Sequence, residues 1–443
     1  NQDRFLEELK DFLRIPSISA LPEHADDMVR CAQFAADHLR SIGMSRAEVM
    51  STGGAPLVYA EWLQAPNKPT VLVYGHYDVQ PPDPLDLWTT PPFDPQVRNG
   101  ALYARGAADD KGQLFMHWKA IETHMMVNGR LPVNLKVLIE GEEEVGSDHL
   151  EQFLADHREL LRSDFVVISD TSWFDKGIPS ICYGLRGIAY IQVNLKGAEV
   201  DLHSGSFGGA VPNPVQVLAG IIARLKDEHG RIDVPGFYDS VRPLSAEERR
   251  QFADLPFDED KLRREIGAPA LWGEEGYTTL ERMWARPTLD INGIWGGFIG
   301  EGVKTVLPSR ASAKISCRLV PDQDPETIMD LLEARIRALC PLVVEMSIER
   351  FHSGKPVITP LDHPAVQAAS RAIERAFQLK PAFIRSGGSI PIVASFEEIL
   401  GAPSILMGMS LPDDHAHAPD ERFDLGNFYG GIRTSAFLWE ELS

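Results

Sequence analysis

Histidine and acidic residues follow several short apolar runs of this chain, in places where they could bind a metal ion. Residues 74–78 read YGHYD, and in an extended chain His76 and Asp78 project to the same side. Asp78 can then accept the imidazole N–H while the other ring nitrogen binds a metal. An H-x-D pair by itself is more often an ordinary polar turn, so this prediction needs support from elsewhere in the chain.

Two further acidic segments point to the same chemistry. Asp109 and Asp110 lie in a glycine-containing loop just before a helical pattern, where N-capping explains one aspartate but not two. Three glutamates, residues 142–144, directly follow the apolar run 135–139. Adjacent carboxylates repel one another and are costly to bury, so a solvated loop is the plain alternative. A pair of metal ions would remove this penalty because each cation favours ionised ligands.

The remaining candidate ligands come later in the chain. Asp170 ends the apolar run 165–169, and His415 and His417 lie in a late loop. Each of them alone is more often structural than functional. Together, these oxygen and imidazole ligands suit zinc or manganese and need no thiolate.

Strand-length apolar runs alternate with helical patterns around these motifs. The apolar runs cover residues 57–63, 71–74, 135–139, 165–169 and 404–407, and the helical patterns cover residues 3–13, 26–42, 112–128, 147–161 and 364–377. This alternation predicts an α/β fold with a mixed, mostly parallel sheet flanked by helices. In such sheets ligands bind beyond the carboxyl ends of the strands, where these motifs lie.

The pattern changes after Gly187. Residues 311–319 alternate strictly between apolar and polar, which predicts an antiparallel strand with one buried face, backed by helices over 213–225 and 325–339. We therefore expect a catalytic domain formed by residues 1–186 and 355–443, with an inserted α+β domain over residues 187–354.

Composition excludes several classes of partner. The chain has 443 residues and a formal net charge of -21, which disfavours nucleic-acid and anionic membrane surfaces. No apolar run approaches the roughly 18 residues of a membrane span. Its four cysteines form no C-x-x-C pair, which argues against a disulfide framework and favours a reducing, cytoplasmic location. The first residue is Asn1 and not Met, so removal of an upstream segment stays open.

The motifs and their order resemble a known family. GHYDVQ, ARGAADDKG, EGEEEVGS, ISD, DLHSG and SGGSIP together are similar to the co-catalytic dinuclear zinc metallopeptidases, which include carnosinase-like dipeptidases, aminoacylase and succinyl-diaminopimelate desuccinylase. The resemblance covers essentially the whole chain and is strongest to the dipeptidase branch. It implies two divalent metal ions per chain, zinc or alternatively manganese. The implied ligands are His76 and Asp170 at one metal, Glu144 and His417 at the other, with His415 as the alternative histidine, and Asp109 as the bridge.

The resemblance also implies catalytic roles. Glu143 would be the general base acting on a metal-bridged water, and Asp78 would orient His76. Proton transfer by a positioned carboxylate and polarisation by two cations are both established means of amide hydrolysis. The family pattern further predicts a cis peptide bond between Asp109 and Asp110.

Substrate-binding residues are implied in the inserted domain and near the end of the chain. His203 would stabilise the oxyanion from the other subunit of a homodimer, so the inserted domain would be a lid and dimerisation domain. Arg318, Gly388 and Ser389 would bind the substrate carboxylate. A loop histidine and a surface ion pair are the plain alternatives for His203 and Arg318. Ser386 stands where a Glu often precedes the glycines, which weakens the case for a carnosine-type specificity.

Three functions stay open on the sequence. The first is metal-dependent hydrolysis of dipeptides or related small amides with a free C-terminal carboxylate. The second is deacylation or desuccinylation of N-acyl amino acids on the same fold, and the third is a binding homologue without catalysis. The sequence opposes the third, because every expected metal position carries a competent ligand.

Overall fold

The chain is built of alternating strands and helices. The computed structural model describes residues 1–443, apart from the side chain of His352. The strands are β1 (Arg46–Met50), β2 (Leu57–Trp62), β3 (Thr70–His76), β4 (Gln96–Arg98), β5 (Ala101–Tyr103), β6 (Asn134–Glu140), β7 (Phe165–Ile168), β8 (Ser180–Leu185), β9 (Gly187–Lys196), β10 (Leu202–His203), β11 (Thr288–Gly296), β12 (Val306–Leu307), β13 (Arg310–Leu319), β14 (Glu345–Gly354), β15 (Val357–Ile358), β16 (Ala382–Ser386), β17 (Ser404–Leu406) and β18 (Arg422–Asp424).

The helices lie between these strands. They are α1 (Gln2–Leu13), α2 (Ala25–Ser41), α3 (Lys111–Asn128), α4 (Leu150–Asp156), α5 (Arg158–Leu161), α6 (Ser204–Phe207), α7 (Pro214–Ile222), α8 (Ala246–Ala253), α9 (Glu259–Glu265), α10 (Thr279–Trp284), α11 (Pro325–Leu339), α12 (Pro364–Phe377), α13 (Pro391–Ser395) and α14 (Leu425–Glu441). Among the described residues, no helix combines the length and the apolar composition needed to cross a lipid bilayer.

The chain divides into two compact units. Unit 1 comprises Asn1–Tyr183, Thr359–Ile384 and Ile392–Ser443. Unit 2 comprises Gly184–Ile358 and the short segment Arg385–Pro391. Unit 2 therefore takes a piece of chain from beyond residue 358 as well as the middle of the sequence.

Unit 1 is built around a mixed sheet in the strand order β1-β2-β6-β3-β7-β17-β8. Strands β6, β3, β7 and β17 run parallel to one another, while β1 and β2 at one edge and β8 at the other are antiparallel to their neighbours. The central strands are buried over almost their whole length, as expected for strands covered on both faces. The predicted α/β fold with a mixed sheet flanked by helices is confirmed.

Helix α3 lies in the core of unit 1. It is buried on most of its surface, including Phe115 and Trp118, and packs against α1 and α14. Phe12 of α1 contacts the Trp118 ring with a centroid distance of 5.1 Å and stacks on Phe34 of α2 at 5.4 Å. Because α3 begins directly after Asp110, this packing fixes the loop that carries the acidic residues at its N-terminus.

Unit 2 contains a four-stranded antiparallel sheet in the order β11-β13-β9-β14. Strand β13 alternates buried and partly exposed residues, as its sequence predicts. Its buried side chains, such as Ile315, pack with Leu218 of α7 and Leu332 of α11 in one apolar cluster. The acidic stretch between β10 and β11 adds the short helices α8 and α9.

One predicted helix is wrong in detail. Residues 147–161 form two helices, α4 and α5, because His157 has non-helical backbone angles. The His157 Nδ1 atom lies 3.0 Å from the Phe153 carbonyl oxygen at this break.

Candidate active site

The carboxyl ends of the parallel strands in unit 1 bring distant acidic and histidine residues to one edge of the sheet. His76 is the last residue of β3 and pairs in register with Glu140, the last residue of β6. Glu143 and Glu144 follow in the short turn after β6, and Asp170 lies two residues beyond β7. Parallel neighbours end at the same edge, so residues separated by many positions in the sequence meet there.

Asp109 is the centre of this group. Its Oδ1 atom lies 3.1 Å from His76 Nε2, and its Oδ2 atom lies 2.8 Å from His417 Nε2. His417 Nε2 also lies 3.2 Å from Glu144 Oε2, and His76 Nε2 lies 4.0 Å from Asp170 Oδ2. The two oxygens of one carboxylate therefore face two different histidines, each with a further carboxylate beside it.

Three of these residues could hold a metal ion. The ligand atoms of His76, Asp109 and Glu144 all lie within 4.8 Å of one another, and imidazole nitrogen with carboxylate oxygen is a donor set that suits zinc. Among the described side chains, no Lys or Arg forms an ion pair with the carboxylates of Asp109, Glu143, Glu144 or Asp170. A cluster of carboxylates without a cation of its own is what bound metal ions would stabilise.

The pKa values reflect this crowding. Burial, together with the neighbouring Asp109, raises the pKa of Asp170 to about 7. Burial raises the pKa of Glu143 to about 9, and Asp170 and Glu144 add to the shift. Burial also acts on Asp109, but hydrogen bonds from His417 and His76 outweigh it and hold the pKa of Asp109 below its usual range. The raised pKa values of Asp170 and Glu143 show that this cluster holds more carboxylates than its two histidines can neutralise.

Asp78 has further contacts besides the one with His76 that its spacing suggests. The His76 Nδ1 atom is 3.0 Å from the Asp78 backbone carbonyl oxygen and 3.4 Å from its carboxylate oxygen Oδ1. The carboxylate accepts hydrogen bonds from the backbone N–H groups of Glu143 and Glu144, at 3.3 and 3.1 Å, and from the Ser19 hydroxyl at 2.7 Å. Asp78 therefore fixes the turn that carries both glutamates.

Contacts also distinguish the three consecutive glutamates. Glu142 accepts a hydrogen bond from the Ala55 backbone N–H at 3.2 Å, and its other oxygen lies 2.9 Å from His149 Nδ1. Glu144 accepts a hydrogen bond from Gln80 Nε2 at 2.8 Å besides its contact with His417. The contacts with Ala55 and His149 hold Glu142 away from the cluster. Of the three adjacent carboxylates, only those of Glu143 and Glu144 therefore belong to the cluster around Asp109.

The loop before α3 has the predicted cis peptide bond between Asp109 and Asp110. Asp110 precedes the helix, but its side chain caps no backbone N–H of α3. Its Oδ2 atom instead accepts a hydrogen bond from the His76 backbone N–H at 3.3 Å. Asp110 therefore ties this loop to the end of β3.

Glu421 is a buried residue of this site that the sequence did not reveal. Its carboxylate accepts a hydrogen bond from Arg105 Nη1 at 2.7 Å and three from the backbone N–H groups of Gly106, Ala108 and Asp109, at 2.9, 2.9 and 3.1 Å. It therefore holds the Asp109 loop in one conformation. Its position four residues after His417 is the only sequence signal, and that spacing is not specific by itself.

In the late loop, His417 contacts the cluster. Both His415 and His417 have positive φ angles, 59° and 63°. The His417 imidazole reaches Asp109 and Glu144, and these contacts raise the pKa of His417 to about 10. His415 is exposed, and no ion pair joins it to the described carboxylates.

The residues predicted to bind substrate lie in unit 2. Arg318 Nη1 donates a hydrogen bond to Ser389 Oγ at 2.8 Å, and Gly388 N donates to Ser386 Oγ at 3.1 Å. His203 lies on the short β10–β12 ladder, is exposed, and accepts a hydrogen bond at Nδ1 from its own loop. Arg318, Gly388 and Ser389 are thus brought together. The hydrogen bond of the His203 ring is to Gly205 of its own loop and not to these residues.

Comparison with known proteins decides the family. The model for "Peptidase family M20/M25/M40" matches residues 72–441, which include the whole cluster around Asp109. This chain belongs to peptidase family M20/M25/M40. The resemblance of the motifs to this metallopeptidase family is thereby confirmed, and the chain is a peptidase.

The similarity to individual M20/M25/M40 peptidases extends over the full chain. The Cys-Gly metallodipeptidase dug1 of Schizosaccharomyces pombe is 35% identical, and the alignment covers 100% of this chain and 96% of that protein. The human Beta-Ala-His dipeptidase is 33% identical, with coverage of 100% and 91%. The crystal structure of an M20 family metallo-carboxypeptidase from Sulfolobus solfataricus has a TM-score of 0.88 at 34% identity, covering 99% of each chain.

Proposed function

We propose that this peptidase hydrolyses dipeptides and related small substrates with a free C-terminal carboxylate, in a reaction that depends on two divalent metal ions. The observation that carries the proposal is the position of Asp109, whose two oxygens face His76 and His417 separately. The names of the similar proteins, a Cys-Gly metallodipeptidase and a Beta-Ala-His dipeptidase, support a dipeptide substrate.

These contacts support a proposed set of metal ligands. His76 and Asp170 would hold one ion, Glu144 and His417 the other, and Asp109 would be shared. Zinc suits this set of nitrogen and oxygen donors, and manganese is the alternative. When bound, two such cations lower the pKa of a shared water and polarise the substrate carbonyl.

Glu143 is the proposed general base. Its carboxylate has no ion-pair partner among the described residues, and its backbone N–H is held by Asp78 at 3.3 Å. A base that is free of other partners can accept the proton of the attacking water and then deliver it to the departing amine. Asp78 would act through others, by positioning Glu143 and Glu144 and by fixing the His76 ring through its backbone carbonyl.

Substrate recognition is proposed for unit 2. Arg318, with Ser389 and the backbone of Gly388, would bind the substrate carboxylate, since a guanidinium can grip a carboxylate through two parallel hydrogen bonds. His203 would stabilise the oxyanion from the partner subunit of a homodimer, and unit 2 would serve as the lid and dimerisation domain. The exposed imidazole of His203 is consistent with a role toward a second subunit. Cytoplasmic localisation stays a prediction, supported by four free cysteines.

Deacylation of N-acyl amino acids is the second candidate, since it would use the same metals and the same base. Both candidates predict loss of activity with a chelator. They differ in the acyl part of the scissile amide, which is an aminoacyl residue with a free amino group in a dipeptide and a simple acyl group such as acetyl or succinyl in the alternative. Substrate choice therefore separates them.

The experiment is a parallel hydrolysis screen with metal-replete protein. We expect cleavage of Xaa-Xaa dipeptides, little cleavage of N-acetyl or N-succinyl amino acids, and none of dipeptide amides, which lack the free carboxylate. Glu143→Gln should lower kcat by about 100-fold or more, the usual contribution of a general base, while metal content stays at the wild-type level. Glu142→Gln is the matched control and should retain most of the activity.

Two results would contradict the proposal. Wild-type turnover by Glu143→Gln would remove the assigned base. A preference for N-acyl amino acids over every dipeptide would favour the second candidate.

A further inference from the structure

Two arginines of unit 2 converge on residues 387–389. Arg186 Nε donates a hydrogen bond to the Gly387 carbonyl oxygen at 2.9 Å, and its backbone N–H donates to the Gly388 carbonyl oxygen at 3.1 Å. The Ser389 hydroxyl donates to the Arg186 carbonyl oxygen and accepts from Arg318 Nη1. Arg186 therefore shapes the same short segment that Arg318 contacts, and nothing in its sequence context singled it out.

The Arg318 side chain lies on the polar face of the unit 2 sheet, since its neighbours in β13, Cys317 and Leu319, belong to the apolar core. Arg318 is paired with Ile188 of β9. Arg186 lies directly before β9, two residues ahead of Ile188. The two guanidinium groups are close enough that Arg318 acts electrostatically on Arg186.

Neither Arg186 nor Arg318 has an ion-pair partner among the described residues. The Asp290 carboxylate favours the charged form of both arginines from a distance, and it lies 3.4 Å from Lys226. The Nη1 atom of Arg186 is shielded from solvent and has no hydrogen-bond partner. Burial and the nearby Arg318 lower the pKa of Arg186 to about 10. Burial and repulsion by a second cation both make the charged form of Arg186 less favourable. A bound anionic ligand would offset this cost.

The segment itself is suited to an anion. Gly387 leaves room for the Arg186 guanidinium, because a Cβ atom at position 387 would lie 2.9 Å from Arg186 Nη2. Ser386 contributes a neutral hydroxyl that accepts the Gly388 N–H. Residues 386–389 therefore include no acidic side chain that would repel a carboxylate.

We infer that Arg186 is a second carboxylate-binding residue beside Arg318, and that the enzyme prefers dipeptides whose C-terminal residue is Asp or Glu. The α-carboxylate would bind Arg318 and Ser389, and the side-chain carboxylate would bind Arg186. This inference rests on the proposed function, because it assumes that Arg318 receives the C-terminal end of the substrate. Arginine suits both places, since its guanidinium stays charged and offers several donors in a fixed geometry.

The test compares isosteric substrate pairs, Ala-Glu with Ala-Gln and Ala-Asp with Ala-Asn. For the wild type we expect kcat/KM to be about tenfold or more higher for the acidic member, the size of effect that a hydrogen bond to a charged group gives. The difference should lie mainly in KM. This comparison needs no variant, so it stays decisive even where a substitution impairs folding.

Substitutions then assign the preference to one residue. Arg186→Gln should bring the acidic-to-amide ratio close to one, and Arg186→Lys should restore part of it because the charge returns without the planar donor group. Arg310→Gln is the matched control: Arg310 starts the same strand as Arg318, eight residues or about 26 Å away in an extended chain, so its loss should leave the ratio at the wild-type value.

The outcomes separate the inference from the function on which it rests. If no dipeptide is hydrolysed, the proposed function fails. If both members of each pair are hydrolysed with a ratio near one, or if Arg186→Gln keeps the wild-type ratio, the proposed function stands and the role of Arg186 is rejected.

Discussion

Two clusters in unit 1 contain the same types of metal-binding side chain but differ in what neutralises them. The aspartate-bridged cluster is formed by His76, Asp109 and Glu144, and the lysine-filled cluster by Glu8, His38 and Glu122. In each cluster the ligand atoms lie within 4.8 Å of one another. By residue type alone, both are candidate metal sites.

The lysine-filled cluster already contains a cation. Lys119 Nζ lies 2.7 Å from Glu122 Oε2, 2.9 Å from His38 Nε2, and in contact with Glu8. Arg4 adds a second positive charge, 2.6 Å from Glu8. Burial, with the nearby Lys119, lowers the pKa of His38 to about 4, so the neutral ring accepts a hydrogen bond from the ammonium. A metal ion has no vacant place in this cluster.

Ligand type and spacing are therefore not sufficient evidence for a metal site. What distinguishes the aspartate-bridged cluster is that no Lys or Arg side chain among the described residues forms an ion pair with its carboxylates. A buried excess of negative charge is stabilised only by protonation or by a bound cation.

The largest effect is expected from Asp109→Asn. The substitution removes the shared carboxylate charge, so metal affinity and kcat/KM should both fall by more than the roughly 100-fold that loss of an outer hydrogen-bond partner costs a metal site. Elemental analysis after dialysis and a dipeptide assay measure the two effects. Glu122→Gln, in the lysine-filled cluster, is the control and should keep the wild-type metal content. If the Asp109→Asn protein retained two ions per chain, the cluster around Asp109 would not be the metal site.

Lys119→Met should act on stability and leave the metal content unchanged. It removes the cation of the lysine-filled cluster and leaves the buried Glu122 carboxylate with Arg4 only, so the free energy of unfolding should fall by about 3 kcal/mol. Urea denaturation followed by circular dichroism measures this change. A loss of bound metal in the folded variant would show that the cluster does bind an ion.

Glu421→Gln should weaken metal binding without removing any ligand. The amide keeps one acceptor oxygen but turns an NH₂ group toward donors that the carboxylate now satisfies, including the Asp109 N–H. We expect metal affinity to fall by about 10-fold to 100-fold, as for other residues that support metal ligands. Competition with a chromogenic chelator gives the affinity. Thr89→Val, which alters another contact of the same late loop, at Asp420, should have a much smaller effect.

The smallest effect concerns pH. His38 has a pKa of about 4 in the folded chain against 6.5 for the free side chain, so the unfolded chain binds more protons between these values. Stability from this residue is therefore complete above pH 6.5 and is lost as the pH falls toward 4, by about 2 kcal/mol between pH 7 and pH 5. Urea denaturation of wild type and His38→Gln at both pH values should show the smaller decline in the variant. Equal declines would mean that His38 is not buried as a neutral ring.

The sequence predicted the parts of the molecule that depend on local patterns. Strands β3 and β6 and helices α11 and α12 follow from apolar periodicity, and the residues placed directly after β3 and β6 do meet at one edge of the sheet. The helix over residues 147–161 was wrong because periodicity does not show the break at His157.

Contacts across long stretches of sequence could not be predicted in the same way. Glu421 and Arg105 are separated by 316 positions, and their hydrogen bond exists only after the late loop has packed against the N-terminus of α3. The lysine-filled cluster draws on three helices and has no local motif. Arg186 is likewise defined by its contact with Gly387, 201 positions later. Such residues need the folded chain to be recognised.

The hydrogen bonds of Asp78 have a consequence for assembly. One side chain at the end of β3 holds the backbone of a turn that lies 65 residues further along, so the proposed base cannot be in place before β3 and β6 have paired. During refolding, activity should therefore not return before this strand pair has formed, and the appearance of helical signal alone should precede it.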